Sequence, residues 1–306
     1  MTATFTSDLQ PMATRLPEDS VTVVIPVYNA AGFLRETLDS VYAQTLAPRQ
    51  IIVVDDGSTD GSGAMLDAEP RVTLYRHPGG VNKGMAASWR LALQHATTRY
   101  VAWLDADDFW YPHKLERHMA RMAADPTLAL TYSDGWVVDS VRRRLWPLLP
   151  GRHHESNDVN QLLLNCYIRT PSSVVVRRDV VVAAGGLFDG LVPCDHDLWL
   201  RIAEQHRIGH LDEALVEYRQ HGGQLSRSRR QWEQAVRVLD DAGHRHRYQR
   251  STIRKRSAVL SFRLGQYDMA HGRRLRALAH LGRAALLDPV RALGILLHGS
   301  HGLLDR

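Results

Sequence analysis

The stretch Val101-Ala102-Trp103-Leu104-Asp105-Ala106-Asp107-Asp108 decides the fold. Its apolar half has the character of a buried strand, a run of about four to eight apolar residues bounded by polar ones. Three carboxylates then fall within four positions at its end. Crowded like charges repel, and a divalent cation relieves that repulsion. Mg²⁺ or Mn²⁺ takes hard oxygen ligands and is commonly shared between one or two carboxylates and a substrate's phosphates. An Asp-x-Asp at the carboxyl end of a strand therefore predicts a metal–diphosphate site. The plainer alternative is a solvated acidic turn.

Working outward, Val21-Thr22-Val23-Val24-Ile25-Pro26-Val27 is a β-branched run ended by Pro26 and Asn29, good strand material. Leu34, Leu38 and Val41 follow at helical spacing, with Phe33 and Thr37 beside them. Ile51-Ile52-Val53-Val54 then stops at Asp55-Asp56-Gly57-Ser58. Strand, helix and strand together have the size of a right-handed βαβ unit. A third strand is expected over Val72 to Tyr75, a helix over Gly84 to His95, and a strand over Tyr100 to Leu104. Such alternation predicts an α/β fold, a mostly parallel sheet flanked by helices. Ligands of these sheets bind outside the carboxyl ends of the strands. Three polar clusters fall there: Pro26 to Asn29, Asp55 to Ser58 and Asp105 to Asp108.

Beyond Ser133 the pattern is mixed, with a strand expected over Ser172 to Arg178, a turn at Gly185-Gly186 and a helix over Asp197 to Gln205. After Ser226 the chain is rich in Arg, Ala and Leu and reads as helical. Gly265-Gln266-Tyr267, Ala277-Leu278 and Ala284 to Pro289 suggest one helical hairpin, which cannot bury its own face alone. The expected division is a flexible 1–20, a catalytic domain over 21–226 and a basic helical region over 227–306.

Hydrophobic content of 44% and charged content of 23% in 306 residues fit a globular protein rather than a disordered one. Two cysteines, Cys166 and Cys194, form no disulfide framework or zinc spacing and suit a reducing compartment. Met1 to Ser20 holds no apolar core of a signal peptide, and no run approaches the roughly 18 apolar residues of a membrane span. A cytoplasmic location is expected. The net charge of +5 is uneven: residues 222–306 hold 17 Lys/Arg against six Asp/Glu, and the first 221 residues are net acidic. This asymmetry predicts a body that does chemistry and a basic tail that meets an anionic partner. The tail lacks the interleaved aromatics of single-strand binders, so nucleic acid is not expected. An anionic membrane surface fits better, touched peripherally from inside the cell through Leu275, Leu278 and Leu281 with Arg273, Arg274 and Arg276 near the head groups. The plainer reading, which the Ala-rich stripe of the hairpin favours, is that these leucines pack on the body and the arginines are solvated.

Taken in order, Val23 to Asn29, Val53 to Asp60, Asn82-Lys83-Gly84 and Leu104 to Asp108 resemble the successive motifs of glycosyltransferase family 2. Gly185 to Asp189, Asp195 to Arg201 and Tyr218-Arg219-Gln220-His221 are similar to its acceptor-side motifs. The resemblance covers about Val21 to Ser226. It implies an inverting, nucleotide-sugar-dependent enzyme with the GT-A fold, using Mn²⁺ or Mg²⁺. It puts the nucleoside against Pro26, Val27 and Tyr28, with the Tyr28 ring offered to the base. Asp56 accepts a hydrogen bond from the base, while its neighbour Asp55 can serve the turn instead. Lys83 lies near the diphosphate, Asp105 contacts the ribose or helps the metal indirectly, and Ala106 belongs to the donor site; Asp107 is a metal ligand, and His221 approaches the metal or the diphosphate. Asp195 is the base that takes the acceptor's proton, and Asp197 the expected helix cap.

Two positions depart from the family pattern. Cys194 replaces the usual acidic residue before Asp195, which puts that neighbour's role in doubt. Trp89-Arg90 replaces Arg-Asn, and no role is carried over there. The expected function is transfer of a sugar from a nucleoside-diphosphate donor, UDP- or dTDP-linked, to a hydroxyl of a cell-envelope or lipid-linked glycan. The alternatives are an inactive nucleotide-sugar-binding module and a sugar-phosphate nucleotidyltransferase. Against the latter, Pro26 to Ala31 is no Gly-rich phosphate cradle.

Overall fold

A computed structural model describes residues 20–149, 151, 153–187, 194–222 and 229–298. Residues 1–19, Phe188, Asp189 and Ser226 lie outside them, as does the side chain of Cys194.

The chain begins β1 (Val21–Val27), α1 (Leu34–Tyr42), β2 (Gln50–Asp55), α2 (Ser62–Asp67), β3 (Thr73–Arg76), α3 (Met85–His95) and β4 (Tyr100–Trp103). It continues with β5 (Phe109–Trp110), α4 (Lys114–Ala124), β6 (Leu128–Val138), β7 (Arg144–Pro147) and α5 (Val159–Asn165). Then come β8 (Val174–Arg177), α6 (Arg178–Ala183), α7 (Cys194–Ala203) and β9 (Arg207–Arg219). Four helices follow: α8 (Arg229–Arg245), α9 (Arg250–Ala270), α10 (Arg274–Leu287) and α11 (Pro289–His298). Two compact units result. The first takes in 1–149, 168–190 and 205–220, and the second 150–167, 191–204 and 221–306.

All the described strands belong to the first unit, in the order β3-β2-β1-β4-β8-β6-β9-β5 with β7 on β6. From β3 to β4 every pairing is parallel. Beyond β4 the sheet is mixed: β8 runs antiparallel to β4 and β6, and β9 parallel to β6. Alternation along β1 puts Val21, Val23, Ile25 and Val27 into one core with Leu34, Leu38 and Val41 of α1 and Leu115, Met119 and Met122 of α4. Burying each such side chain stabilises the fold by about 1.5–3 kcal/mol. On the opposite face α3 packs on β1 and β2, and its Trp89 stacks on Trp103 at 4.6 Å. Trp89 is therefore a core residue, which accounts for its place where the family pattern has another side chain.

Polar groups also enter this interior. Lys114 is fully buried, and among the described residues no carboxylate pairs with it; its Nζ lies 3.0 Å from His118 Nε2, and His118 Nδ1 lies 2.8 Å from Thr131 Oγ1. Burial holds the Lys114 ammonium and the His118 ring well below their ordinary pKa values.

Two long strands, β6 and β9, were not expected. Ser133-Asp134-Gly135 has the composition of a turn, yet it lies inside β6, where the register to β9 shifts. A Cβ at Gly135 would overlap the carbonyl of Val216, so glycine is required by the close approach of β9. In the second unit the expected hairpin is present: α9 and α10 pack together across a turn at 271–273, and α11 follows Pro289.

Candidate active site

Parallel register brings the expected polar clusters to one edge of the first unit. Val27 at the end of β1 pairs with Asp55 at the end of β2. β4 leaves the sheet beside β1, where the Leu104 amide donates to the Val24 carbonyl at 3.0 Å. The segments after β1, β2 and β4 therefore share one end of the sheet.

The first two loops are tied together. Asn29 has a left-handed backbone, φ 51°, and its amide donates to Ser58 Oγ at 3.1 Å. Its Oδ1 accepts from the Thr59 amide at 2.8 Å, and the Ala31 amide donates to Asp60 Oδ2 at 2.9 Å. Tyr28, just before, is 52% exposed, so it is presented rather than packed. Val27 is buried and Pro26 partly so.

Asp55 and Asp56 have different surroundings. Asp55 accepts from the Ser58 amide at 2.9 Å and from Arg76 Nε at 3.2 Å, a turn-closing role. Asp56 reaches across to the loop before α3. Its Oδ1 accepts from the Lys83 amide at 2.7 Å and its Oδ2 from the Gly84 amide at 2.8 Å. Lys83 is thus anchored by its backbone while its side chain is exposed. Between them, Gly57 has φ +78°, and a Cβ there would meet the Gly80 carbonyl at 2.7 Å and the Asn82 amide at 2.9 Å.

The acidic cluster divides in the same way. Asp108 is fully buried, with Oδ1 accepting from the Arg219 amide at 3.0 Å and Oδ2 from Thr170 Oγ1 at 3.1 Å. Burial, reinforced by the charge of Asp107, raises its pKa to about 8. It is a fold residue. Asp105 and Asp107 are partly exposed and Ala106 is buried. The backbone between them is heavily held: the Asp105 amide donates to Ser172 Oγ at 3.0 Å, and Thr37 Oγ1 donates to the carbonyls of Ala106 and Asp108 at 2.9 and 2.8 Å.

Residues without an assigned role in the sequence reading complete this part. Arg219, buried at the end of β9, donates from Nε to the Asp107 carbonyl at 2.8 Å and to Glu36 and Ser140 through its other nitrogens. It stands in the quoted motif Tyr218 to His221, where only His221 drew a role. His77 is buried with Nε2 3.2 Å from Ser88 Oγ and 3.5 Å from Asp56 Oδ1. Its position just past the third strand, at the same sheet edge, was the available signal.

The donor set at the β4 end fits a hard divalent cation. It consists of partly exposed carboxylates on a fixed turn. Among the described residues no three His, Cys, Asp or Glu side chains converge as a complete cage. A cation here would be held by Asp107, with Asp105 beside it, and take further oxygens from phosphate and water.

Asp195 and His221 fall in the second unit. Asp195 stands in the first turn of α7. Part of the residue reaches the surface, but burial raises its carboxyl pKa to about 6, against 3.8 ordinarily. His196 beside it is buried, with Nε2 3.2 Å from the Leu162 carbonyl of α5. Asp197 was expected to cap the helix. Instead it lies inside α7 and accepts from Arg201 Nε at 2.9 Å, one turn on. His221 follows Gln220, whose amide donates to the Val138 carbonyl at 2.8 Å.

Comparison with known proteins bears on the family and the fold. The family described as Glycosyl transferase family 2 matches residues 22–183. An uncharacterized glycosyltransferase of Rickettsia prowazekii is 28% identical over 219 residues, 67% of this chain and 65% of that protein. The chain thus spans under two thirds of the length of that curated relative, and 38% of one from Rickettsia felis. Among solved structures, TarS of S. aureus in complex with UDP-GlcNAc has a TM-score of 0.62 at 16% identity, covering 90% of this chain and 83% of its own. The mannosyltransferase PcManGT of Pyrobaculum calidifontis, in complex with GDP-Man and Mn²⁺, has a TM-score of 0.61 at 22% identity, covering 95% and 82%. These likenesses establish the fold.

Proposed function

The chain belongs to glycosyltransferase family 2, and from that premise we propose that it transfers a sugar from a nucleoside-diphosphate donor to a hydroxyl acceptor with inversion. UDP- and dTDP-sugars are the favoured donors, and a cell-envelope or lipid-linked glycan the acceptor, met in the cytoplasm. The transferase domain is 21–226. The observation that carries this reading is the division of labour within each acidic pair at one sheet edge. Asp55 and Asp108 close contacts within the fold, Asp56 accepts the Lys83 and Gly84 amides, and Asp105 and Asp107 are partly exposed at the end of β4.

In this reading Pro26 and Tyr28, with the main chain of Val27 between them, form the wall against the base, with the exposed Tyr28 ring available for stacking. Asp56 accepts one backbone hydrogen bond on each oxygen and retains further lone pairs for the base's N–H. Asp105 and Ala106 line the ribose, and Lys83 offers its ammonium to the diphosphate. Asp107 and His221 would hold Mn²⁺ or Mg²⁺, which supplies Lewis-acid stabilisation of the departing diphosphate when bound. Asp195 takes the acceptor hydroxyl's proton as the new C–O bond forms. A carboxylate with its pKa raised by burial is a stronger base than a solvated one and is still ionised at neutral pH.

The test is hydrolysis of a panel of nucleotide sugars by the purified chain, with Mn²⁺ and with chelator. One or a few donors should be cleaved slowly, only with metal, leaving the nucleoside diphosphate. Donor binding without turnover, at every acceptor tried, would leave an inactive binding module. Release of a nucleotide triphosphate from pyrophosphate and a nucleotide sugar would identify a nucleotidyltransferase.

A further inference from the structure

Among the described residues, five of the eleven large apolar side chains left exposed lie on one pair of consecutive helices, α10 and α11. Leu275, Leu278 and Leu286 of α10 are 85%, 61% and 87% exposed, and Val290 of α11 is 81% exposed, with Leu293 near them in the chain and also exposed. Isolated exposed leucines are ordinary; a contiguous row is not.

The inner face of α10 is already occupied. Ala277 and Ala284 are buried, and Leu281 packs so closely on α9 that a Cβ at Gly265 would meet its Cγ at 2.8 Å. At about 100° per residue, Leu275, Leu278 and Leu286 fall within one sector on the opposite side of the helix. Arg274 flanks that sector on one edge, and Arg276 and Arg283 flank it on the other. Among the described residues these three arginines have no carboxylate in ion-pair contact, and no Asp or Glu occurs between Asp268 and Asp288. An apolar stripe edged by unpaired cations is the pattern of a helix lying in a membrane interface. The leucines enter the acyl boundary while the arginine stems reach back to the head groups.

We propose that the outer face of α10 is a docking surface for an anionic lipid bilayer. Charge decides between occupants. A second copy seated on the same face would bring the arginine rows against each other, whereas phosphate head groups complement them. This inference does not rest on the transferase reading, and its test contains no nucleotide sugar.

The full chain is sedimented with phosphatidylcholine vesicles, with and without phosphatidylglycerol, at low and high salt. Binding should require phosphatidylglycerol and fall with salt. Replacing the leucines together (Leu275→Ser, Leu278→Ser, Leu286→Ser) should weaken it at least about tenfold, as should Arg274→Gln, Arg276→Gln and Arg283→Gln together. Neither set should lower the melting temperature, because every altered side chain is exposed. Absence of vesicle binding at low salt would overturn the proposal. So would full binding by the leucine variant, which would make the attraction diffuse charge alone. A melting temperature lowered by the leucine variant, or a dimer that it abolishes, would show the stripe to be covered by protein instead.

Discussion

Arg219 Nε donates to the main-chain carbonyl of Asp107 at 2.8 Å, so the last strand of the sheet grips the turn that carries the acidic cluster. The same guanidinium reaches Glu36 in α1 and the Ser140 carbonyl, and its carbon lies 4.7 Å from the Phe33 ring centroid. One buried side chain thereby joins β9, α1 and the loop after β4.

Arg219→Ala should leave the part-buried carbonyls of Asp107 and Ser140 without this donor and Glu36 without its partner. A lost partner of this kind costs about 1–3 kcal/mol each. Thermal unfolding should show a clear loss of stability, and nucleoside diphosphate binding should weaken because Asp107 is no longer held. Arg219→Lys, with one ammonium in place of a fork, should recover only part of both. Unchanged melting in the alanine variant would contradict the gripping role.

Asp107→Ala should abolish transfer and remove most metal-dependent binding of nucleoside diphosphate. The remaining carboxylates cannot present the same oxygen, since Asp108 is buried and committed to Thr170 and Arg219. Loss of a principal transition-state stabiliser costs on the order of 3 kcal/mol or more. Calorimetric titration with Mn²⁺ present and absent measures the binding part. Near-normal activity in this variant, or in excess chelator, would remove the metal assignment.

Asp195→Asn should bind donor normally and lose about 10²–10⁴-fold in turnover. In the parent protein kcat/KM should rise as pH increases through about 6 and level off above it, because the base acts ionised. The variant should lose that limb. Stability has the opposite sign: a folded-state pKa raised from 3.8 to about 6 makes a contribution that is complete below 3.8 and lost as pH rises through 6. The amide variant should therefore melt no lower than the parent at pH above 6. A collapse of donor affinity instead would assign Asp195 to the donor side.

Gly57→Ala should destabilise the first unit by about 2 kcal/mol or more, because the left-handed backbone alone costs about 1–2 kcal/mol and the new methyl meets backbone at Gly80 and Asn82. Donor affinity should fall with it, since the displaced loop carries Lys83. Gly61→Ala, with φ +96° but open space around it, separates the two causes.

The parallel half of the sheet was legible in the sequence because β1, β2 and β4 are built on largely apolar runs stopped by polar residues. The mixed half was not. In β6, Ser133 to Gly135 reads as a turn, and only the passage of Val216 against Gly135 explains a strand there. In β9, Asp212 and Glu213 interrupt the apolar pattern where the register also slips. The polar edge was found from strand ends alone, and the turn-closing part of Asp55 was anticipated from its place in the loop. The commitment of Asp108 and the reach of Arg219 depend on partners more than sixty residues away, which local spacing does not reveal.

The hold of Asp56 on the Lys83 and Gly84 amides bears on how this edge moves. By composition Gly79 to Gly84 is a floppy segment, and Lys83 is exposed to water. Yet two successive amides there end on a buried carboxylate, so their exchange with deuterium should be slow for a surface loop and should quicken sharply in Asp56→Ala. A wall that is already ordered loses little conformational freedom when a ligand arrives. The entropy of fixing that loop has been met during folding, leaving more of the contact energy to distinguish one ligand from another.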